Sequence, residues 1–459
     1  MKSTLSIALL AAMSGASKPE PDHKALRGVN IGGWMVLEPW ITPSLFYQFL
    51  GKTQYDVGID TSTFCTALGA DKANEVLRAH WDAWVTEDHI RQLAEREVEA
   101  LRLPIGDWIL RQYGPYYQCT NGAIEKVQWL LDTADKYGLK VLLDVHGVKG
   151  SQNGYDNSGM ANQVTWVDES HFEHSPVVGE WMGKWDGKKY ESIDQQAIDW
   201  AVETVDMLVD RWGNHPAVFA IEPVNEPWIK SDFPTLRDFY RRVRENMKQK
   251  APHLLFVFHD SFKFSGAIWN RLFDDDDMEN VVMDTHLYMF FWPKLFTVHE
   301  YSEVYSLILS QASRIKYPVW VGEWSLATDH CAMWLQGFND SSGTEHFDCE
   351  WVECPYSYLP ENLAPDFDRT AEKLGPFGIG TDSTPMKGMC PRDSAHFGDR
   401  KVAKLGADYM KTFDKHVHGQ FFWTFRNELE PRWNYITAYD NGWLPSNQTE
   451  DKTQSVFLL

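Results

Sequence analysis

Short, almost wholly apolar runs recur along the chain, and a longer stretch with apolar residues every three to four positions follows most of them. Strands buried on both faces are apolar throughout, as in a parallel sheet covered by helices. The pattern predicts strands at 28–34, 100–104, 140–146, 218–224, 254–259, 281–286, 319–323 and 420–425.

The stretches between these runs have the periodicity of amphipathic helices. The spacing predicts helices at 81–96, 123–137, 193–212, 235–250, 301–316 and 400–417. Strands that alternate with helices in this way are typical of a (β/α)₈ TIM barrel, although a doubly wound open sheet gives the same alternation. We expect the closed barrel, with long loops at its C-terminal face.

Two segments, at about 148–189 and 329–399, lack either periodicity and are longer than most connections inside a domain. Such loops are usually functional or disordered, and the cysteines in the second favour order. We expect both to belong to a single domain that covers residues 17–459. Residues 1–16 have a lysine, a short apolar run and then small residues, which is the pattern of a secretory signal peptide. No later stretch is apolar for long enough to predict a membrane anchor.

Composition narrows the class of protein further. The net charge of −22 argues against nucleic-acid binding, and an aromatic content of 14% argues against disorder. The six cysteines, four of them between positions 331 and 390, predict disulfides in a secreted protein. Sequons at Asn339 and Asn447 agree with secretion. The 21 tryptophans predict either an aromatic core or flat platforms for sugars.

Polar and titratable residues stand where the predicted strands end. In a TIM barrel these ends meet at one mouth, where active sites lie. Singly, each residue has a structural interpretation, such as an ion pair, a buried histidine or a packed tryptophan. Together they predict one pocket, lined by Arg102, His146, Asn225, Glu226, His286, Tyr288, Glu323 and Trp423.

Two glutamates in this set suggest a reaction class. Glu226 follows the fourth predicted strand and Glu323 ends the seventh, so they can face each other across a barrel mouth. Cleavage of a glycosidic bond requires one carboxyl group as proton donor and a second as nucleophile or base. Asn225 could hold the sugar 2-hydroxyl. The alternative is that both glutamates form structural ion pairs with barrel arginines.

Seven motifs resemble those of the family 5 glycoside hydrolases, most closely the fungal-type exo-β-1,3-glucanases. The resemblance extends from about residue 25 to 445, and the Gly-Ser-Gln-Asn-Gly-Tyr-Asp-Asn-Ser-Gly loop is its most specific part. The motifs lie at 27–34, 38–40, 143–147, 150–159, 225–227, 321–324 and 422–424.

The resemblance implies a retaining mechanism, with Glu226 as general acid/base and Glu323 as nucleophile. It also implies that Arg102 orients the nucleophile, that Glu38 binds hydroxyls of the terminal sugar, and that Trp423 stacks beneath it. His146, Asn225, His286 and Tyr288 would line the same subsite. Phe290, Phe291 and Trp292 lie where the family places aromatic residues around the next sugar. No metal or organic cofactor is implied.

We therefore expect a secreted, monomeric enzyme of the cell wall or medium that releases glucose from β-1,3-glucan. Alternatives are an endo-β-glucanase, a glucosidase acting on glucosylated lipids or sterols, a transglycosylase, and a non-catalytic cell-wall glucan-binding protein. The segment 426–431 departs from the family pattern, and the 329–399 insertion is unusually long. Both predict differences at the pocket rim, which bear on exo against endo action and on linkage.

Overall fold

A closed barrel of eight parallel strands forms the centre of the molecule. The computed structural model describes residues 23–49, 52–162, 164–166, 168, 172–174, 176–291, 295–328, 335, 355–365 and 397–446. The barrel strands are β1 (Leu26–Asn30), β2 (Ala100–Gly106), β3 (Lys140–Gly147), β6 (Val218–Glu222), β7 (Leu255–His259), β8 (Val281–His286), β9 (Val319–Trp324) and β10 (Gly419–Phe422). Neighbours in the chain are neighbours in the barrel, and β10 pairs with β1, so the TIM-barrel prediction is confirmed.

Helices connect successive strands, as the apolar periodicity predicts. They are α1 (Pro43–Phe46), α2 (Thr61–Leu68), α3 (Ala70–Trp84), α4 (Glu87–Glu95), α5 (Ala123–Tyr137), α6 (Gln195–Trp212), α7 (Phe233–Lys250), α8 (Gly266–Trp269), α9 (Val298–Leu309), α10 (Asp399–His416) and α11 (Tyr435–Asp440). Gly138 ends α5 in the left-handed conformation, which a glycine adopts without steric cost.

The single helix predicted at 81–96 is wrong, because α3 and α4 are separate helices. Val85 is extended, and the Thr86 side chain accepts a hydrogen bond from the backbone N–H of His89 to begin α4. A threonine cap of this kind starts a new helix even where the apolar pattern continues across it. The first and last barrel strands also begin earlier and end earlier than the apolar runs predicted.

The two long loops differ in how much the structure describes. The first is partly regular, since β4 (Val164–Trp166) and β5 (Phe172–His174) form a small antiparallel sheet within it. Of the second, the structure describes Leu335 and residues 355–365 and 397–398 before α10 begins. The predicted signal peptide, both sequons, Trp292 and the four cysteines between 331 and 390 lie outside the described residues.

Apolar side chains pack together in the lower part of the barrel interior. Gly28 has no room for a side chain, because a Cβ there would lie 2.1 Å from a ring carbon of Phe421. The apolar layer comprises Leu26, Ala100, Leu142, Ala220, Leu255, Val257, Val282, Trp320 and Phe421. Above it the inward residues become charged, which places the chemistry at the C-terminal ends of the strands.

A disulfide between Cys65 and Cys119 ties α2 to the segment before α5. Both cysteines are buried, and the bond spans 54 residues of sequence. It therefore fixes the long connection between β1 and β2 to the one between β2 and β3.

Replacing Cys65 and Cys119 together with alanine should lower the free energy of unfolding by about 2–4 kcal/mol, because the open chain gains conformational entropy when unfolded. Urea unfolding measures this loss. Treating the wild-type protein with a reductant is the matched control, since it opens the bond without changing any residue. An unchanged urea midpoint after reduction would show that the bond adds no stability.

Candidate active site

Arg102, on β2, lies at the centre of the polar layer and is fully buried. Its guanidinium donates to Glu222 at 2.9 Å, to Glu323 at 2.8 Å and to the Asn225 side-chain oxygen at 2.8 Å. Nη1 also donates to Asn30 at 3.0 Å, and Nη2 lies 3.1 Å from Asp144. One arginine therefore fixes side chains from four other parts of the barrel wall.

Glu323, at the end of β9, is held from two sides. Arg102 donates to Oε1, and the Tyr288 hydroxyl donates to Oε2 at 2.7 Å. Burial raises the pKa of Glu323, whereas the positive charges of His286 and Arg102 act in the opposite direction. The two donors keep this carboxylate in one orientation within the mouth of the barrel.

Glu226 follows β6 in an unusual backbone conformation, with a φ of 43°. Residues other than glycine rarely occupy this region, and those that do cluster at active sites. His286 Nδ1 lies 2.7 Å from Oε1, and the Asn157 amide donates to Oε2 at 2.9 Å. Burial alone would raise the pKa of Glu226, but the hydrogen bond and charge of His286 hold it below its ordinary value.

His286 lies between the two glutamates. Its Nδ1 is 2.7 Å from Glu226 Oε1 and 3.4 Å from Glu323 Oε2, and its Nε2 is 3.1 Å from Asp284. Burial opposes the charged ring, but the negative charges of Glu323 and Asp284 raise the pKa of His286 well above its ordinary value. The imidazolium form has a proton for each ring nitrogen, as these acceptors require.

A second histidine of the pocket, His146 on β3, is held from below. Asp144 lies 2.6 Å from its Nδ1, and its ring is parallel to that of Trp423, with centroids 5.4 Å apart. Trp423 itself is nearly buried. The Asn225 amide nitrogen is 3.4 Å from His146 Nε2, so this histidine adjoins the residue before Glu226.

Glu38 lies apart from the hydrogen-bonded network. The Trp40 indole donates to it at 3.1 Å. Burial raises the pKa of Glu38 well above its ordinary value, and the negative charges of Asp156 and Glu323 add to the effect. A neutral carboxyl group of this kind can both donate and accept a hydrogen bond.

Two clusters in the described residues have the spacing that a metal ion would need, and both contain His286. They are Glu226 with His259 and His286, and Glu222 with Asp284 and His286. Glu226 and Asp284 already occupy the two ring nitrogens of His286. These side chains are therefore engaged with one another in hydrogen bonds through which a proton can be shared.

The structure brings most of the predicted site residues into one network. Hydrogen bonds, together with the ion pair between His286 and Glu323, connect Arg102, Asn225, His146, Glu226, His286, Tyr288 and Glu323. Trp423 joins through its ring contact, and Glu38 lies apart with Trp40. The sequence patterns did not single out the supporting residues Asn30, Asp144, Asn157, Glu222 and Asp284. Two of them could have been predicted from the sequence. Asp144 and Asp284 each precede a site histidine by two residues, so each lies on the same strand face as that histidine.

The fold and this pair of supported carboxyl groups define a glycoside hydrolase as the class of protein. The family model for cellulase, glycosyl hydrolase family 5, matches residues 66–353. The chain belongs to this family, and the resemblance of its motifs is confirmed. It is a glycosidase.

Its curated relatives carry a narrower description. A glucan 1,3-beta-glucosidase of Blumeria graminis is 30% identical over 95% of this chain and 90% of its own length. A probable glucan 1,3-beta-glucosidase A of Aspergillus fumigatus is 31% identical over 93% of this chain and 88% of its own length. A glucan 1,3-beta-glucosidase of Schwanniomyces occidentalis is 32% identical over 68% of each chain.

Among solved structures, the rutinosidase of Aspergillus niger superposes with a TM-score of 0.62 at 17% identity. The match covers 92% of this chain and 98% of that one, and at this identity it supports the barrel fold alone. Across the described part of the chain, no helix has the length and apolar character needed to cross a membrane.

Several buried carboxyl groups around the site predict how stability depends on pH. Burial raises the pKa of Asp60 to about 6, and it raises to about 7 the pKa of Asp107, Asp156, Asp260 and Glu428. The folded protein therefore binds protons that the unfolded chain releases, so stability falls as pH rises through these values.

We expect the melting temperature to increase as pH falls from 8 to about 6.5, where the ordinary pKa of histidine lies. Below that value the gain should level off, because burial lowers to about 4 the pKa of His80, His89 and His418. Calorimetry across this range measures the trend. A melting temperature that instead rises from pH 6.5 to 8 would contradict the assignment of these carboxyl groups.

Proposed function

We propose that the protein is a secreted exo-acting glucan 1,3-β-glucosidase that releases glucose with retention of configuration. The observation that carries the proposal is the pair Glu226 and Glu323, which contact the same nitrogen of His286. The relatives named glucan 1,3-beta-glucosidase support β-1,3-glucan as the substrate class. The lysine, apolar run and small residues at the amino end support secretion to the medium or cell wall.

The spacing of the two glutamates supports retention. Glu226 Oε1 is 2.7 Å and Glu323 Oε2 is 3.4 Å from His286 Nδ1, and the sum of these distances is the largest possible separation of the two oxygens. This pair of facing oxygens is therefore closer together than the carboxyl groups of inverting enzymes, which are roughly 6.5–9.5 Å apart. Retaining enzymes have a separation of about 5–5.5 Å, which leaves no room for a water molecule between nucleophile and sugar.

The nucleophile in this proposal is Glu323. Arg102 and Tyr288 orient its carboxylate, and the arginine stabilises its charge for attack on the anomeric carbon. Glu226 gives a proton to the departing oxygen as the bond between sugar and leaving group breaks. Glu226 then takes a proton from water, which attacks the anomeric carbon and releases Glu323.

Differences in exposure between the two sides of the site support exo action. The proposed glycone residues are nearly buried, with exposed fractions of 4% for Glu38, 5% for Trp40 and 3% for Trp423. Two other aromatic side chains near the site are more open, with exposed fractions of 38% for Tyr155 and 64% for Phe291, whose ring packs against Tyr288. A pocket enclosed around the terminal sugar and open toward the leaving group suits removal of one glucose at a time.

The remaining roles in the proposal concern the terminal sugar. Asn225 and His146 would bind its 2-hydroxyl side, Glu38 would bind other hydroxyls, and Trp423 would pack against its ring. Phe291 would contact the next sugar. We also propose that the protein is a monomer. It would need no cofactor, because the double-displacement reaction requires only the two carboxyl groups.

A substrate panel tests the proposal directly. The purified protein is incubated with laminarin, lichenan, cellulose, mannan and a glucosylated sterol, and the first soluble product is identified. Glucose from laminarin as the first product is the expected result. Longer oligosaccharides as first products would favour the endo-β-glucanase, and activity on the sterol alone would favour the lipid glucosidase. Binding to laminarin without turnover would favour the non-catalytic protein.

Replacing the two glutamates should separate their roles. Glu323→Gln should abolish turnover of every substrate, because the amide cannot attack the anomeric carbon. Glu226→Ala should reduce kcat/KM for laminaritriose by about 10²–10⁴-fold, the usual contribution of general acid catalysis. Its effect on dinitrophenyl β-glucoside should be much smaller, since that leaving group needs no proton. Equal losses on both substrates would contradict the role of Glu226.

The stereochemistry of the product is a separate expectation. Proton NMR of the first turnovers should detect the β-anomer of glucose before mutarotation, because two displacements restore the original configuration. The same spectra of the Glu323→Gln variant supply the control for uncatalysed release. The α-anomer as first product would overturn Glu323 as the nucleophile.

A further inference from the structure

Asp284, on β8, lies beneath both proposed catalytic glutamates and has no assigned role. It is almost fully buried. Its two carboxylate oxygens have different partners: Gly322 N–H donates to Oδ1 at 2.6 Å, and His286 Nε2 lies 3.1 Å from Oδ2. One side chain therefore connects the residue before Glu323 with the histidine that contacts Glu226.

The contact with Gly322 fixes the backbone that carries Glu323. A Cβ at position 322 would lie 2.1 Å from Asp284 Oδ2, so the carboxylate occupies the space that any other residue would need. The carbonyl of Gly322 accepts a hydrogen bond from the Asn30 amide at 2.9 Å. Asp284 and Asn30 together hold the Gly322 backbone at its N–H and its carbonyl.

The contact with His286 determines where that ring carries its protons. A carboxylate can only accept, so His286 Nε2 must keep a proton to bind Asp284. The proton at Nδ1 is then the one that can move, over 2.7 Å, to Glu226 Oε1. After this transfer the histidine is neutral, with its remaining proton on Nε2, and Glu226 is a carboxylic acid.

We propose that Asp284 is a positioning residue that acts on both catalytic glutamates, through His286 on one side and Gly322 on the other. This inference rests on the proposed function, because it takes Glu226 as the acid and Glu323 as the nucleophile. In each turnover the Nδ1 proton passes to Glu226 and then to the leaving oxygen. The proton that Glu226 later takes from water returns to His286.

Other groups face His286 from neighbouring strands. The His259 ring packs against it edge-on, with centroids 4.4 Å apart, and burial lowers the pKa of His259 well below its ordinary value, so that ring is uncharged. The carboxylates in direct contact are Glu226, Glu323 and Asp284, and the more distant carboxyl groups are Glu222 and Asp260. Of these, Asp284 alone contacts Nε2 in the described structure.

The variant Asp284→Asn changes this arrangement with little change in shape. The amide oxygen must face Gly322 N–H, since the amide nitrogen there would oppose another donor. The amide nitrogen then faces His286 Nε2 and donates to it, so the ring keeps its proton on Nδ1. A neutral ring with its only proton on Nδ1 cannot transfer it to Glu226.

We expect Asp284→Asn to lower kcat/KM for laminaritriose by roughly 100-fold, at the lower end of what general acid catalysis contributes. The loss for dinitrophenyl β-glucoside should be less than about a tenth as large, because its leaving group needs no proton. The alkaline limb of kcat/KM should move to lower pH by about one unit, since a negative charge that favours the protonated pair is gone.

Asp260→Asn is the matched control. Asp260 is equally buried at the end of the neighbouring strand, and it accepts hydrogen bonds from Thr285 and Phe262 rather than from His286. Burial raises the pKa of Asp260 to about 7, so the substitution changes the site's charge less. This variant should lower the melting temperature. The ratio of kcat/KM for laminaritriose to kcat/KM for dinitrophenyl β-glucoside should stay unchanged, and so should the pH profile of kcat/KM.

A purely structural Asp284 would give a different result, with equal losses on both substrates and an unmoved alkaline limb, and this would overturn the proposal. Nitrogen-15 NMR of histidine in the wild-type protein tests it without a variant. The signal absent from His286→Gln should show both ring nitrogens protonated at pH 7, and a bare Nε2 would refute the inference. A wild-type protein inactive on every substrate would instead refute the proposed function.

Discussion

A single buried arginine positions most of the polar side chains in the mouth of this barrel. Arg102 donates to side chains that follow or end strands β1, β6 and β9, so its guanidinium fixes their relative positions. Five donors in a rigid plane suit this task, whereas a lysine offers a single point charge. Removing one partner of a buried pair usually costs about 3–5 kcal/mol, because the other charge remains unpaired. Precise catalytic geometry and folding therefore depend on the same group.

Arg102 alone does not balance the negative charge that surrounds it, and His286 supplies the second positive charge. Carboxylates from Glu226, Asp284 and Glu323 converge on this ring from three directions. In the proposed mechanism one mobile proton is shared between His286 and Glu226. The contact between the two groups explains why the pKa of Glu226 lies below its ordinary value and that of His286 lies above it. A bound sugar that displaces water and approaches Glu226 would favour the neutral pair, which is the form that can protonate a leaving group.

The sequence was sufficient to predict the barrel, most strand positions and the clustering of polar residues at the strand ends, because these follow from local apolar pattern and short motifs. It was insufficient where partners come from distant strands. The roles of Glu222 and Asn30 could not be recognised, because both residues bind Arg102 from positions far away in the chain. The prediction of one continuous helix across α3 and α4 was wrong for another reason. Thr86 is a good cap, but the apolar spacing runs through it without interruption.

The segment after β10, which departs from the family pattern, is used to hold loops together. Glu428 accepts from the backbone and hydroxyl of Ser44, and the Asn427 amide donates to the Trp40 carbonyl. Arg426 lies 4.4 Å above the ring of Trp84 and 5.9 Å from that of Tyr358, which belongs to the long insertion. These contacts converge on the stretch that carries Glu38 and Trp40. Tyr358 and residues 426–428 therefore pack together, and residues 427 and 428 bind the stretch beside Glu38, where the terminal sugar would lie.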